Sequence, residues 1–169
     1  GFLYVRRAAL DLLEPAVLDL HSATWTGPDS YNMRNDARRF ENWENNLAAK
    51  VGLGVAADYA YGLGTKATEQ RLVELATDLR NKLSAVKGIE VFDLGEHKGG
   101  ITTFTKVGSD PFEMMATLRE QSINTSVSDR ESTLLDADRR GLEPMLRASV
   151  HYYNSDEEVD RFVDAVESL

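Results

Sequence analysis

Among the residues able to do chemistry, Arg147 has the most telling setting, within Leu146-Arg147-Ala148-Ser149-Val150. The surrounding strand pattern is otherwise apolar or aromatic. A guanidinium there is either a charge on an edge strand or a fork aimed at a carboxylate in a cleft. Burying it is worthwhile only against a bidentate partner. A second basic group, Arg38-Arg39 beside Arg34, reads either as a salt-bridge cluster or as an anion site at a loop-to-helix junction. His21, His97 and His151 share no metal-ligand spacing. His21 opens an irregular segment and could approach a ligand, whereas His97 falls in a polar turn. Gly52-Leu53-Gly54-Val55-Ala56-Ala57 matches the loose pattern G-x-G-x-x-A. Dinucleotide binding would need a strand before it and a helix starting at the second glycine. Helical periodicity already runs through Leu47 and Val51, so these glycines read as points where a helix packs closely on a neighbour. Cysteine is absent, which removes disulfides, thiolate zinc sites and a thiol nucleophile from these residues.

The elements that must hold these groups follow from periodicity. Residues 2–6 read as a short strand and residues 8–13 as one or two helical turns stopped by Pro15. Residues 21–36 carry Thr24, Thr26, Gly27, Pro28, Asp29, Ser30 and Asn32, the chemistry of a long loop. Leu47, Val51, Val55, Ala56 and Tyr59 mark a helix ending at Gly62 and Gly64. Thr65 is the expected cap of a second helix, with Leu72, Val73, Ala76, Leu79, Leu83 and Val86 as its apolar stripe and Gly88 as its stop. The period then falls to two. Strands are expected at 89–92, 101–107, 123–128 and 145–153, a helix after Asp110-Pro111, and a polar, turn-rich stretch at 129–143. A last helix opens with the capping box Ser155-Asp156-Glu157-Glu158. From residue 65 the order is α-β-β-α-β-β-α, an α+β layer with helices on one face of a mainly antiparallel sheet. Residues 1–62 cannot close a core and look like a piece of another domain.

Composition bounds the function. The chain has 169 residues, room for one domain or one with an appendage. Its net charge of −9 disfavours a nucleic-acid module, which needs a clustered positive surface. No run approaches the ~20 apolar residues of a membrane span. Arg6 and Arg7 follow the apolar opening rather than precede it, unlike a signal peptide. A cytoplasmic location is the expectation. The first residue is Gly1, inside an expected strand, so the start reads as a processing product or a break.

Four stretches, in this order, resemble the C-terminal half of class V aminotransferases: Gly1-Phe2-Leu3-Tyr4, Arg39-Phe40-Glu41, Gly52 to Tyr59, and Leu146-Arg147-Ala148-Ser149-Val150-His151-Tyr152-Tyr153-Asn154. These are pyridoxal-phosphate enzymes of fold type I, among them cysteine desulfurases, isopenicillin N epimerase-like proteins and kynureninase. The similarity spans essentially the whole chain. It implies an α/β protein in which residues 1–62 are the end of the large cofactor domain and residues 63–169 the small α+β domain. It implies a parent that acts on the amino group of an amino acid through an external aldimine, by transamination, epimerisation or elimination, as a homodimer or together with the missing N-terminal half. Arg147 would bind the substrate carboxylate.

Departures from the family carry their own expectations. The Schiff-base lysine lies about ten residues before the Gly-x-Leu-Tyr strand in the family, and Lys50, Lys66, Lys82, Lys87, Lys98 and Lys106 match none of its context. Pyridoxal phosphate is therefore expected in the parent but not covalently on this chain, which alone is expected to be inactive. Where desulfurases have Gly-Thr at a phosphate contact, this sequence has Trp43-Glu44. A carboxylate is repelled there, so Glu44 is expected to turn away, leaving Trp43 Nε1, Asn42 or Asn45 as the contact. The desulfurase cysteine would fall near Glu131, and its absence argues against a Cys-dependent desulfurase. The rival expectation is a free-standing, non-catalytic α+β binding domain.

Overall fold

Large apolar side chains gather into one continuous core only beyond residue 63. The computed structural model describes residues 1–169, which divide into two units, Gly1–Gly62 and Leu63–Leu169.

The second unit is a mixed helix and strand layer. Its sheet joins β3 (Ile89–Val91), β4 (Ile101–Lys106), β5 (Ser126–Ser128) and β6 (Met145–Ser149) in the order β3-β4-β6-β5, every pair antiparallel. Leu75, Leu79 and Leu83 recur every four residues along α2 (Thr65–Ala85) and are buried. They meet Met114 and Leu118 of α3 (Pro111–Glu120) and Val159, Phe162, Val163 and Val166 of α5 (Asp156–Ser168). The sheet contributes Phe104, Leu146 and Ala148. Phe104 and Phe162 meet edge to face, with centroids 6.2 Å apart. Strand alternation sends Thr103, Arg147 and Ser149 to the opposite face.

Helix ends follow local chemistry. Asp110 accepts hydrogen bonds from the N–H groups of Phe112 (2.8 Å) and Glu113 (3.0 Å), with Pro111 at the first turn. Ser155 and Glu158 form the reciprocal capping box. At α2 the expectation of a Thr65 cap fails. Thr65 is the first helical residue, and Gly64 precedes it at φ 88°. The preceding helix, α1 (Leu47–Leu63), leaves a single residue for the turn, and only glycine enters that conformation without strain.

In the first unit, residues 2–6 form no strand, and Phe2, Leu3 and Tyr4 are exposed. A strand needs a ladder partner, and none runs beside them. Residues expected to be an irregular loop instead form a hairpin, β1 (Ala23–Gly27) with β2 (Ser30–Met33), bulged near Gly27. Thr24, Trp25, Thr26 and Tyr31 are strand formers, and the turn residues sit between them. Helix α1 buries none of its residues, and a Cβ at Gly52, Gly54 or Gly62 would meet open space. The close neighbour expected for these glycines is not seen.

Three further differences lie in the second unit. The polar stretch at 129–143 contains α4 (Leu134–Arg140), stopped by Gly141 at φ 62°. The strands expected at 123–128 and 145–153 shorten to Ser126–Ser128 and Met145–Ser149. A turn in which Asn154 Oδ1 accepts from the His151 N–H follows β6.

Candidate functional site

Arg147 lies on β6, a central strand of the sheet. Its neighbours in the chain, Leu146 and Ala148, are buried, while Arg147 itself is exposed on the other face. The guanidinium is therefore neither on an edge strand nor buried within this chain. Nor does any carboxylate of the chain pair with it. In the ladder it stands directly opposite Thr103 of β4 and Ser126 of β5. The guanidinium is thus fixed at its base by a rigid sheet and open at its tip.

One strand further out lies a tightly bonded group. Arg80 Nε of α2 donates to Asp93 Oδ2 at 2.7 Å, and both side chains are nearly buried. The remaining Arg80 donors reach the carbonyls of Ala76 (3.1 Å), Gly99 (2.8 Å) and Ile101 (2.7 Å). Asp93 Oδ1 accepts from the Thr103 N–H at 2.9 Å and from Thr103 Oγ1 at 3.1 Å. Sequence spacing held no signal for this pair, since its partners come from a helix and the start of a turn. A cleft of about 240 Å³ lies elsewhere in the unit, between the approach to β5 and α5. Its charged residues are engaged: Glu158 in the capping box and Arg161 on the carbonyls of Gln121 and Ser122.

In the first unit the basic group reads as architecture. Arg34 forms a fork on Asp36, with both bonds at 3.0 Å. That fork holds the Asp36 carboxyl below its ordinary range. Arg39 is buried and donates to the carbonyls of Arg34 (2.7 Å) and Leu10 (3.0 Å). Arg38 and Lys50 approach Glu41 at 3.3 and 3.7 Å, and His21 Nε2 lies 3.3 Å from the same carboxylate. Desolvation pushes the Glu41 carboxyl up, but the bonds from His21 and Arg38 and the charge of Lys50 outweigh it, and the net shift is downward. His21 is therefore a partner of Glu41 and Arg38, with the Trp43 ring edge-on at 6.0 Å.

The three residues named for a phosphate contact share one exposed segment. Asp19 fastens it by accepting from the Trp43 N–H at 2.5 Å, and this bond lowers the Asp19 pKa. The Asn45 amide is turned inward, onto the carbonyls of Asn42 (3.2 Å) and Trp43 (3.4 Å). The Trp43 indole N–H and the Asn42 side chain are exposed and hold no hydrogen-bond partner, and Glu44 is exposed beside them. Asn46 caps α1 by accepting from the Ala49 N–H at 2.9 Å. These free donors at an exposed helix start fit the phosphate end of a cofactor. No lysine fits its aldehyde end. Lys50 faces Glu41, Lys82 faces Asp78 and Asp160, Lys106 donates to the carbonyls of Val166 and Glu167, and Lys66, Lys87 and Lys98 are exposed.

The model of the class V aminotransferases matches residues 1–162. The chain belongs to the class V aminotransferase family. It is 26% identical over its whole length to a probable cysteine desulfurase of Methanothermobacter thermautotrophicus, covering 43% of that protein. It is 29% identical over 99% of its length to a cysteine desulfurase of Haloferax volcanii, covering 39% of it. In fold it resembles the cysteine desulfurase of Thermococcus onnurineus NA1, with a TM-score of 0.80 and 24% identity over 98% of this chain and 41% of that one. The chain thus spans about two fifths of the length of the relatives it matches.

These relatives overturn the exclusion of the desulfurase branch. That exclusion rested on one position, Glu131, where no thiol stands. A missing thiol there describes these 169 residues only, whereas the likeness to desulfurases runs along all of them.

Proposed function

We propose that the chain is the C-terminal portion of a homodimeric, cytoplasmic, cysteine desulfurase-like enzyme that cleaves the carbon–sulfur bond of L-cysteine or a close analogue. The observation that carries the reading is Arg147, a guanidinium without an internal anion, on a central strand of a chain whose relatives are named cysteine desulfurases. Arg147 binds the substrate α-carboxylate through its planar fork. Its base is immobilised by pairing on both sides, so orientation of the bound amino acid is settled before reaction. Residues 63–169 are the small domain that carries this group, and residues 1–62 are the end of the large domain.

The cofactor of the parent is pyridoxal phosphate, which supplies the electron sink for amino-acid chemistry when bound. The Trp43 indole N–H and the Asn42 amide would hold its phosphate, and the capped start of α1 would add favourable backbone dipoles. Glu44 stays turned to solvent. Any thiol that accepts sulfur stands outside these cysteine-free residues.

The test is the full-length holoenzyme with L-cysteine and a dithiol reductant. Sulfide released together with alanine supports the reading. Transamination of L-cysteine without sulfur release contradicts it.

A further inference from the structure

No carboxylate of the chain pairs with Arg147, although its cross-strand partner Thr103 carries one on its own hydrogen bonds. Asp93 bonds to Thr103 through both the backbone N–H and the hydroxyl, and Thr103 is the residue directly opposite Arg147 in the β4–β6 ladder. Opposed residues of an antiparallel pair have Cβ atoms about 5 Å apart, so a long arginine side chain can reach a carboxylate seated on its cross-strand partner. Asp93 is held instead by Arg80. Its Nε holds Asp93 Oδ2 at 2.7 Å, while its two Nη atoms are tied to the carbonyls of Ala76 in α2, Gly99 in the β3–β4 connection and Ile101 at the start of β4. Asp93 Oδ1 is already taken by Thr103, so neither carboxylate oxygen is left over for a second fork. Another cation also stands nearby. Arg140 Nη2 donates to the Phe92 carbonyl at 2.8 Å, but its Nη1 is held by Asp136.

We infer that Arg80 is a positioning residue for the substrate site: by sequestering Asp93 it keeps the Arg147 guanidinium open to an incoming α-carboxylate. This rests on the reading of Arg147 as the carboxylate-binding group and adds a role for a residue that never touches substrate. Arg80 provides two services at once. It neutralises a nearly buried anion that would otherwise repel a carboxylate ligand, and it removes an internal competitor for Arg147.

The inference predicts an interaction that a purely structural ion pair does not. In the full-length holoenzyme, Arg80→Leu frees Asp93 to capture Arg147 and raises KM for L-cysteine by about tenfold, with kcat much less affected. Removing the competitor as well, in Arg80→Leu/Asp93→Asn, returns KM to within about twofold of the parent value, because the amide still accepts from the Thr103 N–H but carries no charge. Melting temperatures of the same proteins track folding separately. If Arg80→Leu fails to fold, Arg80→Lys and the double variant carry the test. A single ammonium cannot reproduce the fork, so Arg80→Lys raises KM and Asp93→Asn reverses the rise. Arg147→Ala is measured alongside. If it weakens L-cysteine binding while Arg80 variants leave KM unchanged, or while Asp93→Asn fails to restore it, the role of Arg80 is overturned and that of Arg147 stands. If Arg147→Ala leaves KM unchanged, the carboxylate-binding reading itself is wrong.

Discussion

At the residue scale, Arg147 and the carboxylates show how partners decide what a charge can do. Arg34 and Arg38 face Asp36 and Glu41, and Arg39 is satisfied by carbonyls. None is left for a ligand, and their bunching in the sequence reflects the folding of one loop. Arg147 has no such partner and stands on a rigid strand. Its candidacy was legible because a cation interrupts an otherwise apolar alternation. The Arg80–Asp93 pair was not legible, since its partners are 13 positions apart and share no periodicity. Asp156 and Glu158 extend the same reasoning to pH. The Arg71 fork holds the Asp156 carboxyl below its usual range, and the Asn154 amide with the Ser155 N–H does so for Glu158. Groups lowered by folding stabilise above their unfolded pKa, and that contribution is lost as pH falls through the folded value. Lys82 is raised by Asp160 and Asp78, so its contribution is lost only in strong alkali. The second unit should therefore melt at a steady temperature near neutrality and lose stability below about pH 4. Glu158→Gln should lower the neutral melting temperature and shallow the acid limb in thermal melts across pH. An unchanged acid limb would remove Glu158 from this account.

At the element scale, capping decides where helices begin, and tertiary neighbours decide which faces are buried. Ser155→Ala should cost about 1 kcal/mol, the usual value of a lost N-cap, measured by urea unfolding of residues 63–169. The α5 box, the Asp110-Pro111 start and the two strands after Gly88 were readable from short-range chemistry alone. The register of α2 was read only in part. Leu75 is buried and Val73 largely exposed, because the sheet and α5 select the face and both residues are apolar. Helix α4 was hidden, since its seven residues are too few to show a period. The strand at 2–6 failed for the opposite reason: its local pattern is right, but a ladder partner is missing. Helix α1 is apolar on nearly every side, the pattern of a helix enclosed by its protein, and yet it is exposed here. The isolated chain should therefore self-associate through Leu47, Val51, Val55 and Tyr59, and Val51→Glu/Val55→Glu should shift it toward monomer in light scattering after gel filtration. An unchanged association state would place the sticky surface elsewhere.

At the scale of the whole molecule, one unit has a core and the other does not. Residues 63–169 enclose a continuous cluster from three helices and a sheet. The first unit buries little beyond Leu10, Ser22, Ala23 and Arg39. Expressed separately, residues 63–169 should unfold cooperatively in urea, whereas residues 1–62 should not. No helix is long and apolar enough to cross a membrane. The family assignment covers both units, and under the proposed function the carboxylate of an amino acid is the ligand of Arg147. The central claim is therefore tested most directly by binding of L-alanine and L-alaninamide to the full-length holoenzyme and its Arg147→Ala variant, with inhibition of L-cysteine turnover as the readout. The two ligands differ only in the charged carboxylate. The account predicts that the parent prefers L-alanine by at least about tenfold, the scale of one charge-assisted fork, and that Arg147→Ala abolishes this preference by weakening L-alanine alone. A preference that survives in the variant would contradict it.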